Sequence, residues 1–241
     1  MPEYILVHGN WHDGSAWNGV SAALHDRGHH SFAPTLPGRG DGAPKQTTYA
    51  ECAQSVVDVV MAEGLTDVVL VGHSNGAVVS SKVAEAIPER IRWLTFVSGV
   101  VLEDGQCLLD AAPPPYRPMF DQLAAESPDH TVTIPFDMWC NNFINDAAPD
   151  LARSTYEELC AEGYDLMTEP VDLKRFPSLD IPISYINLAD DVVFPSEWAW
   201  HPRLTSKLPF RRIIEMPGSH EVMYTNPEGL ARTIIEASEG P

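Results

Sequence analysis

Val68-Val69-Leu70-Val71-Gly72-His73-Ser74-Asn75-Gly76 is the stretch that decides the fold. Its first four residues are apolar on both faces and too few for a helix, so 68–71 reads as a strand buried between two layers. The strand runs directly into Gly-x-Ser-x-Gly, and small residues then continue helically to about Ile87. In a strand–turn–helix context this pentapeptide lifts a serine hydroxyl to the C-terminal end of a sheet. The helix N-terminus there favours developing negative charge. Glycines are needed because the sharp turn strains the serine backbone and leaves no space for side chains beside it. The plain alternative is a serine helix cap with glycines kept for packing.

The same alternation extends in both directions. Tyr4-Ile5-Leu6-Val7 is a second buried strand, ending at His8-Gly9. A helix near 15–27 sets Trp17, Val20, Ala23 and Leu24 on one face, Ser31-Phe32-Ala33 is a short strand, and 48–63 reads as a helix started by Thr47 or Thr48. Ile91 to Val97 is a fourth strand. The alternation resumes with a strand at 183–187, a helix near 196–207, a strand at 212–215 and a last helix near 226–237. Alternating strands and helices imply an α/β fold, a parallel sheet covered on both faces. Residues 104–176, rich in proline and aromatic side chains, break the period. They are expected to form a helical cap inserted within a single domain spanning 1–241.

Composition narrows the function classes. The 241 residues include 34 acidic side chains against 15 Lys and Arg, a formal charge of −19, with 44 % hydrophobic residues. That hydrophobic share supports a packed core rather than disorder. The charge argues against nucleic acid and anionic membranes as partners, because both would repel this surface. The four cysteines show no Cys-x-x-Cys pairing and read as free thiols. No secretory leader or apolar span is apparent, so the expectation is a cytoplasmic protein acting on a small molecule.

A serine hydroxyl needs a base, and the chain order that accompanies this elbow is Ser, acid, His. His220 follows the strand at 212–215 through Met216-Pro217-Gly218-Ser219 and is the best-placed histidine. The acid should follow the strand at 183–187, where Asp190 and Asp191 stand side by side; Asp104, after the fourth strand, is a further possibility. Its task is to fix the His220 tautomer and stabilise the imidazolium. Backbone N–H groups of Asn75 and Asn10 are the expected oxyanion donors. Gly9 lets the first loop approach a ligand, and His12 flanks the pocket wall. Trp11, Phe136, Met138 and Trp139 are candidates to line an apolar pocket, or equally residues of the cap core.

These features resemble the α/β-hydrolase superfamily along nearly the whole chain. The likeness is greatest to a small-esterase group that includes plant methylesterases, hydroxynitrile lyases and bacterial relatives. The group's opening pattern, H-G-x-x-H-x-x-x-x-W, is matched by His8, Gly9, His12 and Trp17. Gly72-His73-Ser74-x-Gly76, Pro88-Glu89-Arg90-Ile91, Asp191 four residues before Pro195, and Gly218-Ser219-His220 also fit. The resemblance implies an α/β-hydrolase fold with a mainly parallel six-stranded sheet, a helical cap, a Ser74–His220–Asp191 triad, and no cofactor or metal. It implies hydrolysis of a carboxylic ester or lactone through an acyl-enzyme. Cyanogenic lyases of the group carry Thr or Asn in place of Gly9, and one type has lysine where Glu221 stands; a lysine would help hold cyanide and a glutamate would repel it. The alternatives on this scaffold are a non-hydrolytic enzyme (hydroxynitrile lyase, cofactor-free oxygenase or cyclase) and a small-ligand receptor.

Overall fold

The computed structural model describes residues 2–40, 42–209 and 211–239. Its strands are β1 (Tyr4–Val7), β2 (Ser31–Phe32), β3 (Val68–His73), β4 (Ile91–Val97), the cap strands β5 (Thr131–Val132) and β6 (Glu162–Gly163), then β7 (Ile183–Leu188) and β8 (Arg212–Met216). Six of them form one sheet in the order β2-β1-β3-β4-β7-β8, with every neighbouring pair parallel. All six residues of β3 are buried, as expected for an apolar run covered on both faces.

The helices cover the sheet because their apolar faces must be buried somewhere. Helix α1 (Asn18–His25) turns Val20, Ala23 and Leu24 inward, on the same side as the C-terminal helix Pro227–Ala237. On the other side lie α2 (Tyr49–Ala62), which begins with a Thr48–Glu51 capping box, and α3 (Gly76–Ala86). Helix α3 is made of small residues because it starts against the sheet. A Cβ at Gly76 would stand 2.4 Å from the Val7 carbonyl oxygen, and one at Gly72 would stand 2.7 Å from Ala77 Cα.

The chain leaves β1 towards β2 on one side and returns to β3 on the other. This reversal opens a crevice at the C-terminal ends of β1 and β3, where open α/β sheets hold their ligands. Residues 104–176 lie across that end. Their main helices are Tyr116–Glu126 and Pro149–Glu157, and their buried side chains share one core with the α2–α3 face of the sheet.

Two expectations differ from the structure. In place of a helix near 196–207 there are two single 3₁₀ turns, Ser196–Trp198 and Thr205–Lys207. Pro195 and Pro202 supply no N–H, and Pro202 interrupts the run. The cap is also not wholly helical: β5 and β6 pair antiparallel through Thr131–Gly163 and Val132–Glu162. Among the described residues, no helix is long and apolar enough to cross a membrane.

Candidate active site

Ser74 sits at the end of β3 with φ of +51°, in the left-handed region that a non-glycine residue rarely occupies. The strain is held from several sides. Its N–H donates to the Val97 carbonyl (3.2 Å), while its own carbonyl accepts from Val100 (2.9 Å) and Ala77 (3.2 Å). Gly9 lies directly alongside, since a Cβ there would come within 2.9 Å of Ser74 Cβ. The glycine therefore lets the first loop pack against the serine rather than lining a ligand pocket.

His220 is delivered by the loop after β8 and is 1 % exposed. Its Nδ1 lies 2.7 Å from Asp191 Oδ2, and Asp191 Oδ1 accepts the Val193 N–H at 3.0 Å. The two neighbouring carboxylates are thereby told apart. Asp190 instead takes the Gly218 N–H at 2.9 Å and braces the histidine loop. Asp104 accepts from the Leu173 N–H at the cap boundary and is occupied there.

The imidazole is held in an aromatic cage. Trp200 stacks on it at 5.2 Å and 18°, Phe143 meets it edge-on at 5.5 Å, and His73 lies 4.6 Å away. Burial alone pushes the His220 pKa down. The Asp191 charge and hydrogen bond, helped by Glu221, outweigh that and leave it raised. His73 is different: burial and the neighbouring His220 lower it to about 3, so it stays neutral and its Nε2–H donates to the His220 carbonyl at 3.0 Å.

Glu221, the residue after His220, is buried. Burial pushes its carboxyl up, but His12 beside it and the nearby His220 pull it down to about 2. Its Oε2 is 3.0 Å from His12 Nε2, a close contact that lies off the hydrogen-bonding line. His12 therefore belongs to the support of the histidine loop and does not face the cavity.

Asn75 follows Ser74 in the chain, and Asn10 lines the same cavity as Ser74. Asn75 is the residue before α3, and Asn10 follows β1; both are buried. Among the described residues, no group accepts from the main-chain N–H of either. The Asn75 side chain does not enter the space beside the serine, because its Nδ2 donates to Asn10 Oδ1 and its Oδ1 accepts from Tyr49.

One cavity brings Ser74, His220, Asn10 and Trp11 together. Its remaining wall is apolar, with Leu108, Tyr116, Phe120, Phe143, Phe194 and Trp200 prominent. Trp11, the one aromatic on this wall anticipated from the sequence, has φ of +63° and fastens the first loop to the cap. Its indole N–H donates to the Val132 carbonyl at 3.0 Å, and its carbonyl accepts from Cys160 at 2.7 Å.

Phe136, Met138 and Trp139 do not line this cavity. Phe136 packs against Tyr156 and Arg153, and Met138 is half-buried against the core. Trp139 is fully buried, stacks on Phe143 and donates to the Ala152 carbonyl, so it backs the wall from behind. The signal missed for Phe194 and Trp200 was their place just after Asp191, on the segment that must pass the histidine.

Residues 4–233 match the family described as "Alpha/beta hydrolase family". The chain is 30 % identical to a carbendazim hydrolyzing esterase of Nocardioides sp. (strain SG-4G), covering 97 % of this chain and 98 % of that protein. It is 24 % identical to a pyrethroid hydrolase of Sphingobium wenxiniae, covering 100 % and 89 % respectively. Among solved structures, an extracellular alpha/beta-hydrolase from a Paenibacillus species superposes with a TM-score of 0.96 at 31 % identity over the whole of both chains. That protein is described as sharing structural and functional homology with tobacco salicylic acid binding protein 2.

Proposed function

The chain belongs to the alpha/beta hydrolase family, and on that premise we propose that it is a serine hydrolase of a carboxylic ester or lactone on a small apolar or aromatic molecule. The observation that carries the reading is the convergence on one apolar cavity of a strained serine and a buried histidine bonded to a carboxylate. The similarity to two proteins named as an esterase and a hydrolase supports the reaction class.

In this reading His220 Nε2 takes the Ser74 proton as Oγ attacks the ester carbonyl. The carbonyl oxygen becomes an oxyanion and receives the N–H groups of Asn75 and Asn10. Asp191, bonded to Nδ1, keeps the base in the correct tautomer and offsets the charge of the imidazolium. The tetrahedral intermediate collapses, the C–O bond to the alcohol breaks, and His220 returns its proton to the leaving oxygen. Water, deprotonated by the same nitrogen, repeats the addition on the acyl-enzyme and releases the acid, restoring Ser74. The aromatic and aliphatic wall excludes water from this sequence and suits an uncharged group on the acyl or alcohol side.

An activated aryl ester tests the reading. A burst of alcohol equal to the enzyme concentration, abolished in Ser74→Ala, is the expected result. Full activity in Ser74→Ala would point instead to base-only chemistry by His220 and Asp191.

A further inference from the structure

Three polar side chains are buried in an unbroken line just behind the two N–H groups assigned to the oxyanion. Tyr49 is fully buried, Asn75 is 3 % exposed and Asn10 is 6 % exposed. The Tyr49 hydroxyl donates to Asn75 Oδ1 at 2.7 Å, and Asn75 Nδ2 donates to Asn10 Oδ1 at 2.8 Å. The main-chain N–H of Tyr49, at the start of α2, is itself held by Glu169 at the end of the cap, at 2.8 Å. Burying three polar groups in an apolar core is costly unless each is bonded, and here each is bonded to the next. The donors all point the same way, from phenol to the first loop, an arrangement in which each bond polarises its neighbour.

We propose that the Tyr49 hydroxyl and the Asn75 side chain are positioning residues that fix the gap between the Asn75 and Asn10 main-chain N–H groups. The two proposed donors come from different segments, the turn before α3 and the loop after β1, with no backbone hydrogen bond between them among the described residues. The link that spans them is the side-chain bond Asn75–Asn10. The phenol donor in turn holds the Asn75 amide the right way round, with oxygen towards α2 and nitrogen towards the loop. Oxyanion stabilisation is stronger when the donors are held in place before the charge develops, since no reorganisation is then needed in the transition state. A clamp of this kind therefore acts on the transition state and leaves ground-state binding alone. The proposal rests on the serine hydrolase reading above.

The test compares the wild type with Tyr49→Phe and Asn75→Leu, using active sites counted by a fluorophosphonate. The substrate is an activated aryl ester. A matched pair of ligands, an aryl trifluoromethyl ketone and the free aryl acid, completes the comparison. The trifluoromethyl ketone adds Ser74 Oγ to its carbonyl, passes the serine proton to His220 and leaves an oxyanion in the proposed hole, whereas the acid does not form that bond. Tyr49→Phe, which keeps the buried ring, should lower kcat about tenfold with KM within about twofold. Its affinity for the trifluoromethyl ketone should fall by the same factor as kcat, while its affinity for the acid is unchanged. Asn75→Leu should lose more, and the double variant should lose less than the product of the two, because both break one line.

Unchanged kcat per titrated site in both single variants overturns the clamp while leaving the hydrolase reading standing. So does an equal loss of affinity for ketone and acid, which is what general loosening of the site produces. A wild type that neither turns over the ester nor binds the trifluoromethyl ketone removes the hydrolase reading and the clamp together.

Discussion

The nucleophile elbow and the histidine loop face one cavity but are held in opposite ways. At Gly72–Gly76 the geometry is set by missing atoms: a Cβ at Gly76 would collide with the Val7 and His8 carbonyl oxygens, and one at Gly72 with Ala77 Cα. The histidine loop is held by charge. Asp190 takes the Gly218 N–H, Asp146 takes the Ser219 N–H and the Thr225 hydroxyl, Asp191 meets the imidazole, and Glu221 is buried behind it. The serine side is thus a steric fit that does not respond to pH. The histidine side is an assembly of carboxylates. In the proposed mechanism the serine is held fixed and the histidine has its proton affinity set, and the two means of support suit those two tasks.

The contrast can be broken at its most charged point first. Asp191→Asn keeps the shape but presents the wrong hydrogen-bonding partner to Nδ1. It should lower kcat about 10³- to 10⁴-fold with the thermal transition near that of the wild type, read by steady-state kinetics and a melting curve. A small kcat loss would move the acid's role elsewhere.

On the steric side, Gly76→Ala should cost about 3 kcal/mol of stability, because backbone carbonyls cannot move aside as a flexible side chain can. For a chain of this length that is a fall in Tm of about 6–12 °C. The loss should be the same at pH 6 and pH 8, since no ionisable group is involved. A pH-dependent loss would contradict the steric account.

A smaller effect is expected at the brace from the cap. Asp146→Ala removes the acceptor of the buried Ser219 N–H and should cost about 1 kcal/mol, softened because Asp146 itself is exposed and water can enter. Chemical denaturation measures it. No change in stability or in kcat would remove Asp146 from the support of the loop.

The subtlest change is in pH dependence. In the proposed mechanism His220 acts as a base only when neutral, and its pKa is raised, so kcat/KM should climb with pH through a point above the ordinary histidine range. Glu221 contributes to that raise by its negative charge. Glu221→Gln removes the charge, makes the imidazolium less favoured, and should shift the acid limb of the kcat/KM profile to lower pH. A limb that stays in place or moves upward would show that the Glu221 charge does not reach the base.

The sequence was informative wherever a local rule applies to consecutive residues. Continuous apolar runs such as Val68–Val71 and Tyr4–Val7 can only be buried strands, and Gly72-His73-Ser74-Asn75-Gly76 has one compact solution between a strand and a helix. Position along the chain also puts His220 and the Asp190–Asp191 pair at neighbouring strand ends, and β7 and β8 do pair in the structure; the choice of Asp191 over Asp190 comes from the family resemblance. The cavity wall was harder to read. Which cap side chains face inward depends on how the cap docks, and no local periodicity carries that information. Phe136 and Trp139 have the residue type of wall side chains, whereas the wall is made by Tyr116, Phe120, Phe143 and, from outside the cap, Phe194 and Trp200. The short strands β5 and β6 were invisible for a related reason: each is two residues long, and they pair across about thirty intervening residues. The Tyr49–Asn75–Asn10 line links three distant segments, so only the folded chain reveals it.

The central claim is that Ser74 is the nucleophile of an ester hydrolase, and a fluorophosphonate probe followed by peptide mapping tests it most directly. Stoichiometric labelling confined to Ser74, slowed sharply in Asp191→Asn and absent in Ser74→Ala, is the expected result. Labelling at another residue, or a catalytically active protein that the probe does not modify, would contradict it.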